Sequence, residues 1–140
     1  TLEVKMNTLR DMLAAHPESD FSRNNNLHNT VEAIASCARV CTSCADACLA
    51  EPMVADLARC IRLNLDCADI CHATSQVLTR QTATDPALWR ELINACRTAC
   101  QVCAEECERH ADMHEHCRIC AEHCRECVQV CDTLLQTVAA

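Results

Sequence analysis

The sequence predicts an all-α fold: an antiparallel four-helix bundle with a Cys-lined core, preceded by a short N-terminal helix. Three observations carry this. The 140 residues include no glycine and are rich in Ala and Leu, a composition that favours helix throughout. The 16 cysteines recur at steps of three and four, the rhythm of one helix face. Turn signals at Glu51-Pro52, at 79–86 and at 111–115 divide the cysteine-bearing region into four long segments. Long helices joined by short loops pack as antiparallel neighbours.

Residues 1–15 read as an amphipathic helix, with Leu2, Met6, Leu9 and Leu13 on one face and Pro17 as its stop. Residues 16–23 read as a polar connection. The chain thus divides into an N-terminal helical arm (1–23) and the bundle (24–140). The arm is expected to pack outside the bundle or on a neighbouring subunit.

Helix one is predicted from Asn24 to Ala50, with the seam Leu27, Ile34, Cys37, Cys41, Cys44, Cys48. Pro52 reads as the first residue of helix two, which runs to about Arg80. Its seam is Met53, Leu57, Cys60, Asn64, Cys67, Cys71, Leu78. Asn64 stands where the rhythm calls for another cysteine, and reads as a polar interruption that fixes register, with weak coordination as the alternative role. Residues 79–86 read as a loop, with Asp85 as N-cap and Pro86 opening helix three. That helix runs to about His110 on the seam Trp89, Ile93, Cys96, Cys100, Cys103, Cys107. Helix four carries HCRICAEHCRECVQVC (116–131) and sets Cys117, Cys120, Cys124, Cys127 and Cys131 on one face. The pattern Cys-x3-Cys-x2-Cys-x3-Cys occurs at 37–48, 96–107 and 120–131, an internal repeat that leaves no cysteine off a seam.

Antiparallel packing separates two ends. Ile34, Leu78, Trp89, Leu92, Leu134 and Leu135 are expected to close one with an apolar plug. Met53, Asp56, His110, Met113, His114 and His116 gather at the other, which reads as a mouth. His110 and His114 lie one turn apart above Cys107 and are candidate ligands or an uptake relay. Met53, Met113 and Asp56 are candidate outer ligands. His116 and His123 flank the seam by one position and read as surface residues; His16, His28 and His72 read as ordinary.

The absence of glycine excludes a P-loop, a dinucleotide-binding fingerprint and a nucleophile elbow. A net charge of −8 disfavours nucleic acid as a partner. No run approaches the ~18 apolar residues of a membrane span, and TLEVKMNTLRDML lacks the apolar stretch of a signal peptide. The chain therefore reads as cytoplasmic, where many cysteines point to metal or redox chemistry rather than to disulfides. Soft thiolates select Cu(I), zinc or iron–sulfur clusters. Zinc and cluster motifs gather discrete sets of Cys on turns or loops, whereas these cysteines form continuous rows. Cys37-x3-Cys41-x2-Cys44 and Cys96-x3-Cys100-x2-Cys103 match a radical-SAM spacing but lie within helix seams. Cu(I) accepts two or three thiolates, and a thiolate bridges two coppers, so rows of sulfur suit multiple Cu(I) ions per chain. The alternatives are a structural zinc or iron–sulfur protein and a thiol redox sensor; a sensor needs a low-pKa Cys beside a cation, and no privileged pair is visible. No acid–base pair, triad or substrate pocket can be assembled, so no enzymatic activity is predicted.

CADACLAEPMVADLARCIRLNLDCADIC (44–71) and ECERHADMHEHCRICAEHCRECVQVC (106–131) resemble the bacterial cytosolic copper storage proteins, Cys-filled four-helix bundles. The resemblance spans about residues 30–135 and includes the His-x3-His-x-His of the mouth. It implies storage of many Cu(I) ions, mostly by paired thiolates, in a homotetramer; a copper chaperone or efflux protein is a candidate exchange partner, and the sequence does not say which. It carries ligand roles to all 16 Cys and places His110, His114 and Asp56 at outer sites. Exported relatives carry a twin-Arg leader and a Met-lined mouth; the His-rich mouth here favours the cytosolic branch.

Overall fold

The structure is a computed structural model that describes residues 7–18 and 26–138. Its helices are α1 (Thr8–Ala15), α2 (Leu27–Leu49), α3 (Ala58–Thr79), α4 (Pro86–Glu108) and α5 (Glu115–Val138), and the described residues include no strand. The four long helices form a ring in which α2 packs on α3, α3 on α4, α4 on α5 and α5 back on α2. Sulfur pairs fix the antiparallel register. Cys60 meets Cys107 and Cys71 meets Cys96 between α3 and α4, while Cys37 meets Cys124 and Cys41 meets Cys120 between α2 and α5. No helix is long and apolar enough to cross a membrane among the described residues.

The helix ends follow local chemistry in most places. Asp85 caps α4 as predicted: its carboxylate accepts the Leu88 amide at 3.0 Å, with Pro86 at the first helical position. Asn26 precedes α2 with φ 55, a left-handed conformation that Asn tolerates. The predicted start of that helix at Asn24 lies outside the described residues, as do Leu2 and Met6 of the arm. Of the predicted arm face, Leu13 is buried and Leu9 packs partly against the core, where α1 meets α2.

The start of helix two differs from expectation. Pro52 lies in a turn, a 3-10 segment follows over Val54–Leu57, and the α-helix begins only at Ala58. The chain must cross from one helix to the next here, and a 3-10 turn serves as the connector. It delivers Leu57 to the core at 1% exposure but takes Met53 off the seam, leaving it 59% exposed.

The plug forms where expected. Ile34 and Leu78 are fully buried, and Trp89 and Leu134 nearly so. Leu27, Val31, Ile93 and Val138 complete the buried set, while Leu92 and Leu135 are only half-buried. Two buried hydroxyls in α3 need no water: Thr74 donates to the Ile70 carbonyl at 2.7 Å and Ser75 to His72 at 2.8 Å.

Truncating a fully buried branched side chain in such a plug leaves a cavity. Ile34→Ala is expected to destabilise the reduced, metal-free protein by about 2–5 kcal/mol. Urea unfolding followed by far-UV circular dichroism measures this, and a loss below about 0.5 kcal/mol would show that the plug is not part of the cooperative core.

Candidate metal centre

Sequence spacing sets the cysteines along four inward faces, and the bundle brings those faces to one axis. All 16 Cys are buried free thiols. Their sulfurs form a continuous network. Cys71 lies 3.7 Å from Cys96 and 3.6 Å from Cys100; Cys100 lies 3.7 Å from Cys67 and 3.9 Å from Cys37. Cys37 and Cys41 both reach Cys124, at 3.9 and 3.6 Å. Cys41 in turn lies 4.0 Å from Cys103.

Sulfurs that share an ion at a bond length of about 2.3 Å lie ~3.8 to ~4.6 Å apart, from tetrahedral to linear. The observed separations already sit at the near edge of that range. The groups of four sulfurs within 4.8 Å of one another include Cys37/Cys41/Cys67/Cys124, Cys37/Cys67/Cys71/Cys100, Cys41/Cys103/Cys120/Cys124 and Cys71/Cys96/Cys100/Cys127. These groups share members, so ions in adjacent groups must share sulfurs. A fifth group, Cys44/Cys48/Cys60/Cys117, shares no member with those four and lies toward the mouth.

Asn64 sits inside this network with no exposure. Its amide nitrogen donates to the Cys60 carbonyl at 2.9 Å, and its Oδ1 accepts from Cys120 at 3.0 Å and Cys103 at 3.2 Å. The residue that interrupts the thiol row is thus satisfied by both backbone and thiols, and it places an oxygen among the sulfurs.

At the mouth, the predicted residues separate into two sets. His110 and His114 are mostly buried, with 19% and 14% side-chain exposure. Nε2 of His110 is 2.9 Å from Glu106, and Nδ1 of His114 is 3.0 Å from Glu51. Met53, Asp56 and Met113 are exposed, Met113 at 76%. They stand at the rim rather than against the sulfurs.

His116 corrects the sequence reading. It is not a surface residue: Nδ1 lies 3.5 Å from Cys44 Sγ and 3.6 Å from Cys117 Sγ, and Nε2 lies 2.9 Å from Glu51. It occupies the first turn of α5, where side chains lean over the open end of the bundle. Two carboxylates were also missed. Glu51 Oε2 lies 3.0 Å from His114 Nδ1 and 2.9 Å from His116 Nε2. Glu106 is buried and flanked by the Arg59 and Arg109 guanidinium groups at 3.6 and 3.9 Å. His-x-His before Cys117 was the available signal for His116; no sequence signal singles out Glu51.

The arginines near cysteine in sequence turn away from the sulfurs. Arg97 pairs with Asp132, Arg118 with Glu115 and Glu122, and Arg125 with Glu108. The arginine–thiolate pair that would mark a redox-active cysteine is absent from these three positions.

Burial pushes the Cys48 thiol up to about 11 and Cys117 higher still, each also raised by the negative charge that Cys60 would carry. Their folded pKa values exceed the ~8.5 of an unfolded cysteine. At these two positions the neutral thiol therefore contributes stability that is complete below about pH 8.5 and, for Cys48, is lost as pH rises through about 11. The reduced, metal-free protein is expected to keep a constant Tm between about pH 7 and 8 and to lose it above about pH 10. Calorimetry under anaerobic conditions checks this; a rising Tm in that alkaline range would mean that the core thiols are ionised in the native state.

Among curated proteins none matches this chain. Solved structures do. The copper storage protein Ccsp from Streptomyces lividans, loaded with 10 copper equivalents, is 48% identical, with a TM-score of 0.87 over 91% of this chain and 98% of that one. A cytosolic copper storage protein from Streptomyces lividans with five coppers is 47% identical, with a TM-score of 0.76 over 92% of this chain and 96% of that one. A histidine-to-alanine variant of Ccsp is 53% identical, with a TM-score of 0.77 over 78% of this chain and 91% of that one. The sequence profile of the copper storage proteins matches residues 23–136, so this chain belongs to the copper storage protein family.

Proposed function

We propose that this protein stores many Cu(I) ions in the cytosol, held by the thiolates that line its bundle. One observation carries the reading: buried sulfurs from four helices form sets of four, and four of the sets named above share members along the axis. Cu(I) takes few thiolates and lets each bridge to the next ion, so a shared network serves it better than it serves a metal that needs its own closed tetrahedron. The copper-loaded structures of Ccsp, close to half identical to this chain, support the same metal.

Charge balance sets the mode of filling. A buried thiolate without a counter-charge costs several kcal/mol, so the metal-free core holds neutral thiols. Each Cu(I) that enters displaces about one proton, and the core stays near neutral at every stage of loading. If each ion takes two sulfurs and each sulfur serves two ions, capacity approaches about one Cu(I) per Cys.

All 16 cysteines act as ligands in this reading. The exposed Met53, Asp56 and Met113 make first contact with an incoming ion at the rim. His110 and His114 pass it inward, and His116 completes the sulfur group of Cys44, Cys48, Cys60 and Cys117. Storage requires no turnover, so the role is non-enzymatic. Family resemblance supports a homotetramer, with a copper chaperone or an efflux protein exchanging the metal.

Anaerobic titration of the reduced protein with Cu(I), against a chromophoric chelator, tests the reading. Uptake is expected to continue past about ten ions per chain, toward about one per cysteine, with affinity rising with pH. Saturation at about one to four ions, or a metal-free protein without helical circular dichroism, would indicate a structural metal site instead.

A further inference from the structure

Glu51 ends the turn after α2, and its Oε2 lies 3.0 Å from Nδ1 of His114 and 2.9 Å from Nε2 of His116, both near the start of α5. A glutamate carboxyl is ionised near neutral pH. An ionised carboxylate only accepts hydrogen bonds, so both facing nitrogens must carry a hydrogen. In a neutral imidazole the other nitrogen then bears the lone pair. For His116 that nitrogen is Nδ1, which lies 3.5 Å from Cys44 Sγ and 3.6 Å from Cys117 Sγ. For His114 it is Nε2. The two rings stack at 5.4 Å with 21° between their planes, which limits rotation of either.

We propose that Glu51 is a positioning residue: it fixes the tautomers of His114 and His116, so that His116 presents an unprotonated Nδ1 to Cys44 and Cys117. This rests on the reading of the mouth as the place where copper is taken up. In the opposite tautomer Nδ1 would carry a hydrogen and could neither accept a thiol hydrogen nor coordinate an ion. Glu51 lies in the turn after α2 and the two histidines lie at the start of α5, so the contact spans two segments far apart in sequence. Glu106 faces Nε2 of His110 at 2.9 Å in a similar way, so carboxylate-held imidazoles line both sides of the mouth. Carboxylates behind ligand histidines commonly act on metal affinity through orientation and tautomer.

Long-range proton–nitrogen NMR of nitrogen-15-labelled, reduced, metal-free protein tests this. In the unsubstituted protein His116 is expected as the Nε2–H form and His114 as the Nδ1–H form. In Glu51→Ala both tautomers of His116 are expected. Competition with a Cu(I) chelator should then show the first ions bound about tenfold more weakly, with total capacity unchanged. Glu51 lies in a turn with 26% side-chain exposure, so the variant should fold, and a retained helical circular dichroism spectrum checks this. Unaltered tautomers in Glu51→Ala would overturn the proposal. Low copper capacity in the unsubstituted protein would refute storage, while the tautomer result, read without metal, decides the role of Glu51 separately.

Discussion

Everything in this structure depends on one property of the thiol group: protonated it packs as a small hydrophobe, and deprotonated it is a soft ligand. The same 16 side chains fill the core and, in the proposed reading, also bind the metal. In the metal-free state they fill the bundle axis as neutral groups. When a soft cation replaces a proton the axis remains neutral, so neither state requires the chain to unfold. A core of leucine would have been better packed but chemically inert. A set of carboxylates would have repelled itself in the absence of metal. The Ile, Leu and Trp plug at one end supplies the larger apolar contacts that small thiols cannot.

The arrangement of the helices turns rows into a network. Neighbouring antiparallel helices would by themselves give ladders of pairs. The sulfurs also meet across the diagonal of the bundle: Cys37 lies 3.9 Å from Cys100, and Cys41 lies 4.0 Å from Cys103. The axis is thus narrow enough for sulfurs of opposite helices to touch. An ion at any level can draw ligands from more than one pair of helices, which is why the four-sulfur groups overlap. Asn64 is the one amide among these sulfurs, and its hydrogen bonds to Cys60, Cys103 and Cys120 keep a polar side chain satisfied where no water reaches.

The seams were legible because helical periodicity is local. Cys37 to Cys48 and Cys117 to Cys131 predict their own burial without any knowledge of the partner helices. The cap at Asp85 and Pro86 was legible for the same reason. The mouth was less so, because its contacts cross between segments. Met53 was misplaced since the helix after Pro52 starts six residues later than proline chemistry alone suggests, at Ala58. His116 was misread because one position off a seam means the surface in mid-helix but not in a first turn at the open end. Glu51 carries no periodic or motif signal at all. It matters only because the turn at 51–57 sets it against α5.

On the proposed uptake route, the gradient of ligand type along the bundle gives a direction. Asp56 and the thioethers of Met53 and Met113 are exposed at the rim, imidazoles follow, and thiols line the interior. Oxygen and imidazole ligands hold Cu(I) less strongly than thiolate does, so each inward step improves the ligand set. The acidic charge of the chain, −8 overall, concentrates cations near the surface in the first place. The same gradient opposes release, since an outgoing ion must trade thiolates for weaker ligands. Release must then come from a competitor that itself offers thiolates at the mouth, or from protons that restore the neutral thiols. The carboxylates Glu51 and Glu106 stand against the histidines of the mouth, where the proposed exchange takes place.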